Sequence, residues 1–516
     1  MTTQFLTMRS ISQYLPEAVM MHADLVLDQP LKRIVTDSRK ILKDDFFVAI
    51  AGEKFDAHDF LTQVQQAGAI GSLISDAAKA PEQLPVALVN NTVLALGKLA
   101  KAWRLELAPT VVVVTGSNGK TTVKEMIASI FRAAVGQEHS LSTDGNLNNE
   151  IGLPLTLLRL TSEHQLAVIE LGMNHPGETK ALAEIASPNI TLINNAQREH
   201  QEFMQTVEAV AQEHALAIQA LPTDGCAVFP SDSPYADIWY GVAKGRPIFT
   251  FAFNTEATQN QSQGQTDVTG RWHEKGQLEI SSPHWSTNAL VQLKTLGDHN
   301  AKNALAATAV GLAAGVSKEA IIQGLEAFEA VGGRMRKLEI KIGKTCITLV
   351  DDTYNANPDS VLAAIQAIED LPGKHWLVLG DMGEVGDQGP VFHREIGEYA
   401  AQHQIDQLWT IGELSSFTEE AFAQVKALSL KNSSKVGQHC NSIEQLTSQL
   451  TDQLMASAVQ LDSSPSQTSS QTRSQTTSQT TSLVPSLVIL VKGSRFTKME
   501  RVIQHLLSME DQCYSS

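Results

Sequence analysis

The stretch Pro109-Thr-Val-Val-Val-Val-Thr-Gly-Ser-Asn-Gly-Lys-Thr-Thr122 decides the fold. Four consecutive valines, Val111 to Val114, are what a strand buried on both faces looks like. A helical pattern follows at once, with Val123, Met126, Ile127, Ile130 and Phe131 at spacings of three and four. Between strand and helix lies Gly116-Ser-Asn-Gly-Lys-Thr121. Its glycines let successive backbone N–H groups converge on a phosphate, and the helix start adds the positive end of its dipole. In this arrangement Thr115, Gly116, Ser117, Asn118, Gly119, Lys120, Thr121 and Thr122 cradle a nucleotide. The Lys120 ammonium neutralises the β- and γ-phosphates, and the Thr121 hydroxyl ligates Mg2+. The longer form of such a loop has a further glycine at the position of Val114 or Thr115; this chain has the shorter Gly116-x-x-Gly119 spacing.

Outward from this loop, apolar runs at Leu166 to Glu170 and Ile190 to Asn194 alternate with helical segments. That is the pattern of a parallel sheet wrapped by helices. Upstream, short β-rich pieces (Phe46 to Ile50, Val86 to Val89) mix with helical stretches such as Leu94 to Trp103. Downstream, Thr255 to Gly276 reads as exposed loops or hairpins, and Ala301 to Ala314 as an alanine-rich helix stopped by Gly315. Gly332-Gly333 marks a boundary, after which apolar runs recur at Cys346 to Val350, Trp376 to Leu379, Leu408 to Ile411 and Leu487 to Val491. The expectation is an α/β protein of three domains. Residues 1–107 form a small N-terminal α/β domain, 108–331 a central P-loop ATPase domain on a parallel sheet, and 332–516 a C-terminal Rossmann-like open sheet. Within the last, Ser463 to Ser482 is nearly all Ser, Thr and Gln, with Arg473 its single charge. It cannot bury enough apolar surface to offset its chain entropy and reads as a disordered insertion, 463–482.

The bulk numbers narrow the partners. A chain of 516 residues exceeds one ordinary core of ~150 residues. The formal charge of −17 repels nucleic acid and anionic membrane as main partners. Cys226, Cys346, Cys440 and Cys513 are far apart, with no CxxC pairing, so neither a disulfide framework nor a zinc site is expected. The N-terminal residues lack the apolar stretch of a signal peptide, and no run of ~18 apolar residues offers a membrane span. A cytoplasmic protein is the expectation.

A nucleoside triphosphate requires a second group to organise its metal. Glu170 ends the apolar run Leu166-Ala-Val-Ile-Glu170, at the carboxyl edge of a parallel sheet, where such a ligand belongs. On the residues alone, a metal ligand and a helix cap stay equally open. His200 follows the next apolar run at the same edge; a second metal ligand and a surface histidine are its alternatives, the surface histidine favoured before any resemblance is weighed.

Several segments together resemble the Mur ligases, the ATP-dependent amide-forming enzymes of peptidoglycan synthesis. They are Gly116 to Thr121, Asn148-Asn-Glu-Ile-Gly-Leu-Pro154, Glu170-Leu-Gly172 and His299-Asn-Ala-Lys-Asn-Ala-Leu-Ala-Ala307. Further segments are similar to the branch that adds D-alanyl-D-alanine: Asp37-Ser-Arg39, Phe47-Val-Ala49, Gly52 to Asp59, Asp351-Asp-Thr-Tyr-Asn-Ala-Asn-Pro358, Leu379 to Glu384 and Val491-Lys-Gly-Ser-Arg495. The resemblance implies a ligase joining D-alanyl-D-alanine to UDP-N-acetylmuramoyl-tripeptide through an acyl phosphate, using ATP and Mg2+, in a protein that works as a monomer. By the same match, Lys120, Glu170 and His200 are catalytic. Thr121 and Glu170 hold one Mg2+ and His200 a second. Asn300 and Asn303 lie against the adenine, Arg334 reaches the nucleotide, and Asp352 lies near the ribose. Asp37, Ser38 and Arg39 lie near the uridine, and Lys492 and Arg495 hold the dipeptide or the nucleotide.

The chain departs from the family in one place. Many members carry a lysine, carbamylated to bridge the metal, where this chain reads Val210-Ala-Gln-Glu-His-Ala-Leu-Ala-Ile218, and no lysine occurs between Lys180 and Lys244. Glu213, His214 or water are the alternatives for that position. Rival readings are folylpolyglutamate synthase or another Mur ligase, a nucleotide-dependent switch and an inactive scaffold. The first-domain segments disfavour the first, and the lack of a guanine-reading Asn-Lys-x-Asp disfavours the second.

Overall fold

A computed structural model describes residues 5–24, 26–253, 266–273, 276–342, 345–429, 436–462 and 487–514. The insertion expected at 463–482 lies outside the described residues, as does much of the Thr255 to Gly276 stretch. The chain divides into two compact units: Met1–Ala196 with Glu208–Gln292 and Lys302–Phe328, and Gln197–Val207 with Leu293–Ala301 and Glu329–Ser516.

The first unit carries two sheets. The N-terminal sheet runs in the order Val19–Met21, Val86–Leu88, Gly71–Ile74, Phe46–Val48, Ile34–Val35, parallel except at its first strand. The central sheet has nine strands, in the order Ala289–Val291, Leu278–Ser281, Val268–Trp272, Ile248–Phe253, Cys226–Pro230, Ile190–Ile193, Thr110–Thr115, Leu166–Glu170, Ser140–Ser142. All pairings are parallel except the two that join Leu278–Ser281 to its neighbours. Val111 to Val114 are fully buried, because helices cover both faces of this parallel sheet. The helix Thr92–Leu107 buries Leu96, Leu99, Ala100 and Trp103 in a core that also takes Met8 and Phe46 from the N-terminal part and Val111, Leu153 and Ile169 from the central part. The Trp103 indole donates to Leu160 O at 3.0 Å, and Arg104 Nη2 to Asn189 Oδ1 at 2.5 Å.

The strand Thr110–Thr115 sits between Leu166–Glu170 and Ile190–Ile193. The chain leaves it first to one side and then to the other, so its carboxyl end is a topological switch point, where open α/β sheets bind ligands. The strands Cys226–Pro230 and Ile248–Phe253 extend the sheet beyond the apolar runs read from the sequence. The helix Asp298–Ala313 ends before Gly315, whose φ of +71° suits glycine, and Val316 N donates back to Gly311 O.

The second unit holds a six-stranded sheet in the order Arg336–Ile342, Thr345–Asp352, Leu487–Lys492, Lys374–Gly380, Ile405–Ile411, Gly437–Cys440. Only its first strand is antiparallel. Beneath it His393 is fully buried, its Nδ1 2.8 Å from Gly389 O, while Met382 N donates to Nε2 at 3.1 Å. Those partners require one N–H and one lone pair, so the ring is the neutral tautomer protonated on Nδ1. Burial pushes its pKa down, against smaller opposing effects of Gly389 O and Asp381. The unfolded chain therefore binds this proton more readily, so the His393 contribution is fully present above about pH 6.5 and is lost as pH falls below it. Thermal midpoints measured from pH 7.5 to 5.5 should fall, and His393→Asn should give a shallower fall from a lower start. That start reflects about 1–3 kcal/mol for buried backbone groups left unpaired.

Candidate active site

The phosphate loop is held from below by asparagines. Gly116 has φ +133° and Gly119 φ +78°; a Cβ on Gly116 would come within 3.0 Å of Asn194 Cβ and Asn195 N, and one on Gly119 within 2.7 Å of Asn303 Oδ1. Both positions therefore require glycine, for conformation and for space. Asn194 and Asn195 follow the strand Ile190–Ile193 directly and clamp the loop. Asn118 N donates to Asn195 Oδ1 at 2.9 Å, and both asparagine amides donate to Asn118 O, at 2.8 and 2.9 Å. Asn194 Nδ2 also donates to Asn303 Oδ1 at 2.8 Å, so Asn303 braces the loop through Asn194. Thr115 is buried, with Oγ1 2.9 Å from Nδ1 of the fully buried His214.

Lys120 opens the helix Lys120–Val135 and folds back on its own loop, donating to Gly116 O at 2.6 Å and Ser117 O at 3.1 Å. Thr121 Oγ1 donates to Glu170 Oε2 at 2.8 Å. The other oxygen, Oε1, accepts from Asn148 Nδ2 at 2.9 Å. Glu170 N is tied to Thr143 Oγ1 at 3.0 Å, and the fully buried Lys124 holds Thr143 by donating to its carbonyl at 2.8 Å while paired with Glu125. Glu170 is 3% exposed, and among the described residues its carboxylate meets only these neutral donors. A buried carboxylate with no cation beside it is a costly arrangement unless a cation joins it. Thr121 and Glu170 therefore suit a hard divalent ion at the mouth of a phosphate loop. Among the described residues no three His, Cys, Asp or Glu converge on a metal position.

Glu213 and His214 are committed elsewhere. The Glu213 carboxylate accepts from Gly177 N at 2.9 Å and Thr179 N at 3.0 Å, capping the start of the helix Glu178–Ala186. His214 supports Thr115, as above.

The remaining candidates fall in other places. Asp37 and Arg39 lie by the N-terminal sheet, where Arg39 Nε and Nη2 donate to the two Asp37 oxygens at 2.8 and 2.9 Å, and Ser38 opens the turn between them. Those hydrogen bonds hold the Asp37 carboxyl down to about 2. His200, Asn300, Arg334 and Asp352 belong to the second unit. His200 has φ +47°, and its Nδ1 lies 2.5 Å from Glu384 Oε2. Its loop is pinned by Arg198, which forks to Asp359 (2.6 Å) and Glu395 (2.7 Å). Asn300 donates to Leu296 O at 2.8 Å. Asp352 Oδ2 pairs with Lys492 Nζ at 2.5 Å, and its Oδ1 accepts from Met335 N at 3.1 Å.

Asn194, Asn195, Thr143 and Lys124 were not singled out from the sequence. Only the two asparagines carried a signal, as polar residues set directly behind a buried strand at the ligand edge of the sheet.

Strand, glycine loop, lysine and buried carboxylate define a P-loop nucleotide-binding α/β protein. Residues 114–311 match the Mur ligase middle domain, and residues 333–464 match the Mur ligase, glutamate ligase domain. The chain belongs to the Mur ligase family. It is 37% identical over 410 residues, 78% of this chain and 86% of the other, to a Haemophilus influenzae protein named UDP-N-acetylmuramoyl-tripeptide--D-alanyl-D-alanine ligase. A protein of the same name from Escherichia coli is 34% identical over 484 residues, 94% of each chain. Among solved structures, MurF from Acinetobacter baumannii matches with a TM-score of 0.80 and 29% identity, covering 98% of this chain and 100% of that one. MurF from Thermotoga maritima in complex with ADP matches with a TM-score of 0.73 and 25% identity, covering 93% and 98%. No helix among the described residues is long and apolar enough to cross a membrane.

Proposed function

We propose that this chain joins D-alanyl-D-alanine to UDP-N-acetylmuramoyl-tripeptide in the cytoplasm, using ATP and Mg2+ and acting as a monomer. The observation that carries the chemistry is the buried Glu170 carboxylate bonded to Thr121 at the mouth of the Gly116–Gly119 loop. Similarity along 94% of the chain, at 34% identity, to a protein named for this reaction supports the choice of substrates.

A carboxylate is a poor electrophile until one of its oxygens becomes a good leaving group. The γ-phosphoryl group therefore passes first to the tripeptide carboxylate, with cleavage of its bond to the departing ADP. The unprotonated dipeptide amine then forms the C–N bond as the acyl carbon–oxygen bond breaks, phosphate leaves, and the surplus amine proton passes to solvent or to the departing phosphate. The first step brings two anions together, the carboxylate and the γ-phosphate, so much of the catalysis is positioning and charge neutralisation. The loop N–H groups and Lys120 take the phosphate oxygens. Thr121 and Glu170 would hold Mg2+, with His200 assigned to a second ion; when bound, the metal would supply positive charge to offset that of the phosphates. Asn300 and Asn303 are assigned to the adenine, Arg334 to the nucleotide phosphates, Asp352 to the ribose, and Asp37, Ser38 and Arg39 to the uridine end.

The test is phosphate release with ATP, Mg2+, the tripeptide nucleotide and D-alanyl-D-alanine, each omitted in turn. Release that requires all four, with a product heavier by one dipeptide residue, is expected; release without the dipeptide overturns the acceptor. Activity should also be indifferent to bicarbonate, because no lysine occurs between Lys180 and Lys244 to form a carbamate. A rise of several-fold on adding bicarbonate to degassed enzyme would show that a carbamate forms after all.

A further inference from the structure

The segment Gln197–Val207 is part of the second unit, although it lies in sequence between the strand Ile190–Ile193 and the helix that begins at Val207. Its centre is the one-turn helix Gln201–Met204, entered through His200 and left through Gln205. His200 has φ +47° and Gln205 φ +62°, so a residue with a Cβ takes positive φ at each end of a single turn. Glycine adopts such backbone freely. Other residues hold it only where surrounding contacts over-determine the chain, and such places cluster at functional sites.

Arg198 supplies the contacts on the entry side. Its backbone N donates to Asp359 Oδ2 at 2.8 Å, and its Nε and Nη2 donate to Asp359 Oδ1 at 3.0 and 2.6 Å. Nη1 and Nη2 donate to the Glu395 carboxylate at 2.7 and 3.1 Å, and the guanidinium carbon lies 5.3 Å from the Phe392 ring centroid. Asp359 stands in the first turn of the helix Pro358–Glu369, which Asn357 caps, and Phe392 and Glu395 stand on the helix Gly389–Gln402. One arginine therefore joins a strained turn to two helices. An exposed ion pair contributes little, but a guanidinium fork held by two carboxylates and only 22% exposed fixes direction as well as distance. Beyond His200, Glu202 N donates to Glu384 O at 3.3 Å, a longer contact.

We infer that Arg198 is a positioning residue for the ligation: by clamping the chain two residues ahead of His200 to Asp359 and Glu395, it holds the imidazole where the reaction uses it. This rests on the function proposed above and on the assignment of His200 to the reaction. All three guanidinium nitrogens are taken by Asp359 and Glu395, so Arg198 acts through the backbone that joins it to His200. A reacting group misplaced by about 1 Å loses about 10²-fold in rate while the substrates still bind. A clamp that only stabilised the fold would instead lower the thermal midpoint and leave the rate per folded molecule as it was.

The experiment compares Arg198→Met, Arg198→Lys, His200→Asn and the double variant Arg198→Met with His200→Asn in the full-length enzyme. Methionine keeps an unbranched side chain against Phe392 and removes the fork; asparagine removes the imidazole and tolerates left-handed backbone. Arg198→Met should lower kcat by about 10²-fold and leave KM for ATP and for D-alanyl-D-alanine within about threefold. Arg198→Lys should recover part of the rate, because a charge remains without the fork. Adding Arg198→Met to His200→Asn should cost nothing further, since the ring through which the clamp acts is already gone. Hydrogen exchange of the amides from Gln201 to Thr206 should quicken in Arg198→Met and not in His393→Asn, which loses stability elsewhere in the same unit. Losses that multiply in the double variant overturn the inference, as does a kcat for Arg198→Met no lower than that of His393→Asn. Exchange that stays slow in Arg198→Met overturns it, and so does an unchanged kcat in His200→Asn, because nothing is left for the clamp to position. If the wild type forms no product, it is the proposed function that fails, and exchange, which needs no substrate, still distinguishes a clamp that holds the segment from one that does not.

Discussion

Lys120→Ala is expected to lower ATP-dependent phosphate release by about three orders of magnitude, the scale of a cation removed from a phosphoryl-transfer site. The size of the effect follows from where the ammonium sits. Lys120 rests on the carbonyls of Gly116 and Ser117, at 2.6 and 3.1 Å, so it lines the loop it serves. Removing it deletes a positive charge from the phosphate position and also leaves two carbonyl oxygens facing that position. Each phosphate oxygen then meets repulsion where it had a donor. The side chain is only partly buried, so the fold should persist, with a thermal midpoint within a few degrees of the wild type. Stopped-assay phosphate release together with direct nucleotide binding checks the prediction. Release within tenfold of the wild type would remove Lys120 from the catalytic machinery.

Glu170→Gln is expected to lower kcat by about 10²- to 10³-fold, through loss of the charge proposed to pair with Mg2+. The substitution keeps the shape and changes the hydrogen bonding. Glu170 accepts from Thr121 Oγ1 and from Asn148 Nδ2, and a glutamine amide offers an acceptor to only one of these. If its N–H group faces Asn148, two donors oppose each other; if it faces Thr121, the hydroxyl must turn round. The cost to the fold is about 1–2 kcal/mol, partly offset because a neutral amide is less costly to bury than an unpaired carboxylate. The discriminating measurement is Mg2+-dependent ADP binding. The Mg2+ concentration at half effect should rise by about tenfold or more, while metal-free ADP binding should change little. Unchanged Mg2+ dependence would overturn the metal-ligand reading and leave Glu170 a structural carboxylate, the kind of role that the helix cap stood for as the alternative in its sequence position.

Much of this site could be read along the chain. The strand Thr110–Thr115, its glycine turn and the helix from Lys120 are where the valine run, the glycines and the apolar spacing placed them. The strands Leu166–Glu170, Lys374–Gly380 and Leu487–Lys492 likewise cover their apolar runs. Glu213 and His214 show the limit. As residue types near a missing lysine they were alternatives for a replacement ligand, yet one caps a helix start and the other supports Thr115. Nothing local distinguishes a buried glutamate that caps a helix from one that awaits a metal. Their partners lie on other segments.

The sequence by itself determined the local pieces: which stretches are buried strands, where glycine permits the phosphate turn, and which helix carries Lys120 and Thr121. Those follow from hydrophobic periodicity and backbone freedom, which act over a few residues. Only the tertiary structure decided the company each polar group keeps. Sheet order sets Glu170 beside Thr121 and Asn148, and Asn194 and Asn195 under the loop. It also brings Arg334 and Arg495 to the ring of Tyr354. Within each sheet these partners come from segments far apart in the chain that meet at that sheet's own carboxyl edge. Their pairing depends on how whole sheets pack, and no spacing along the sequence encodes it.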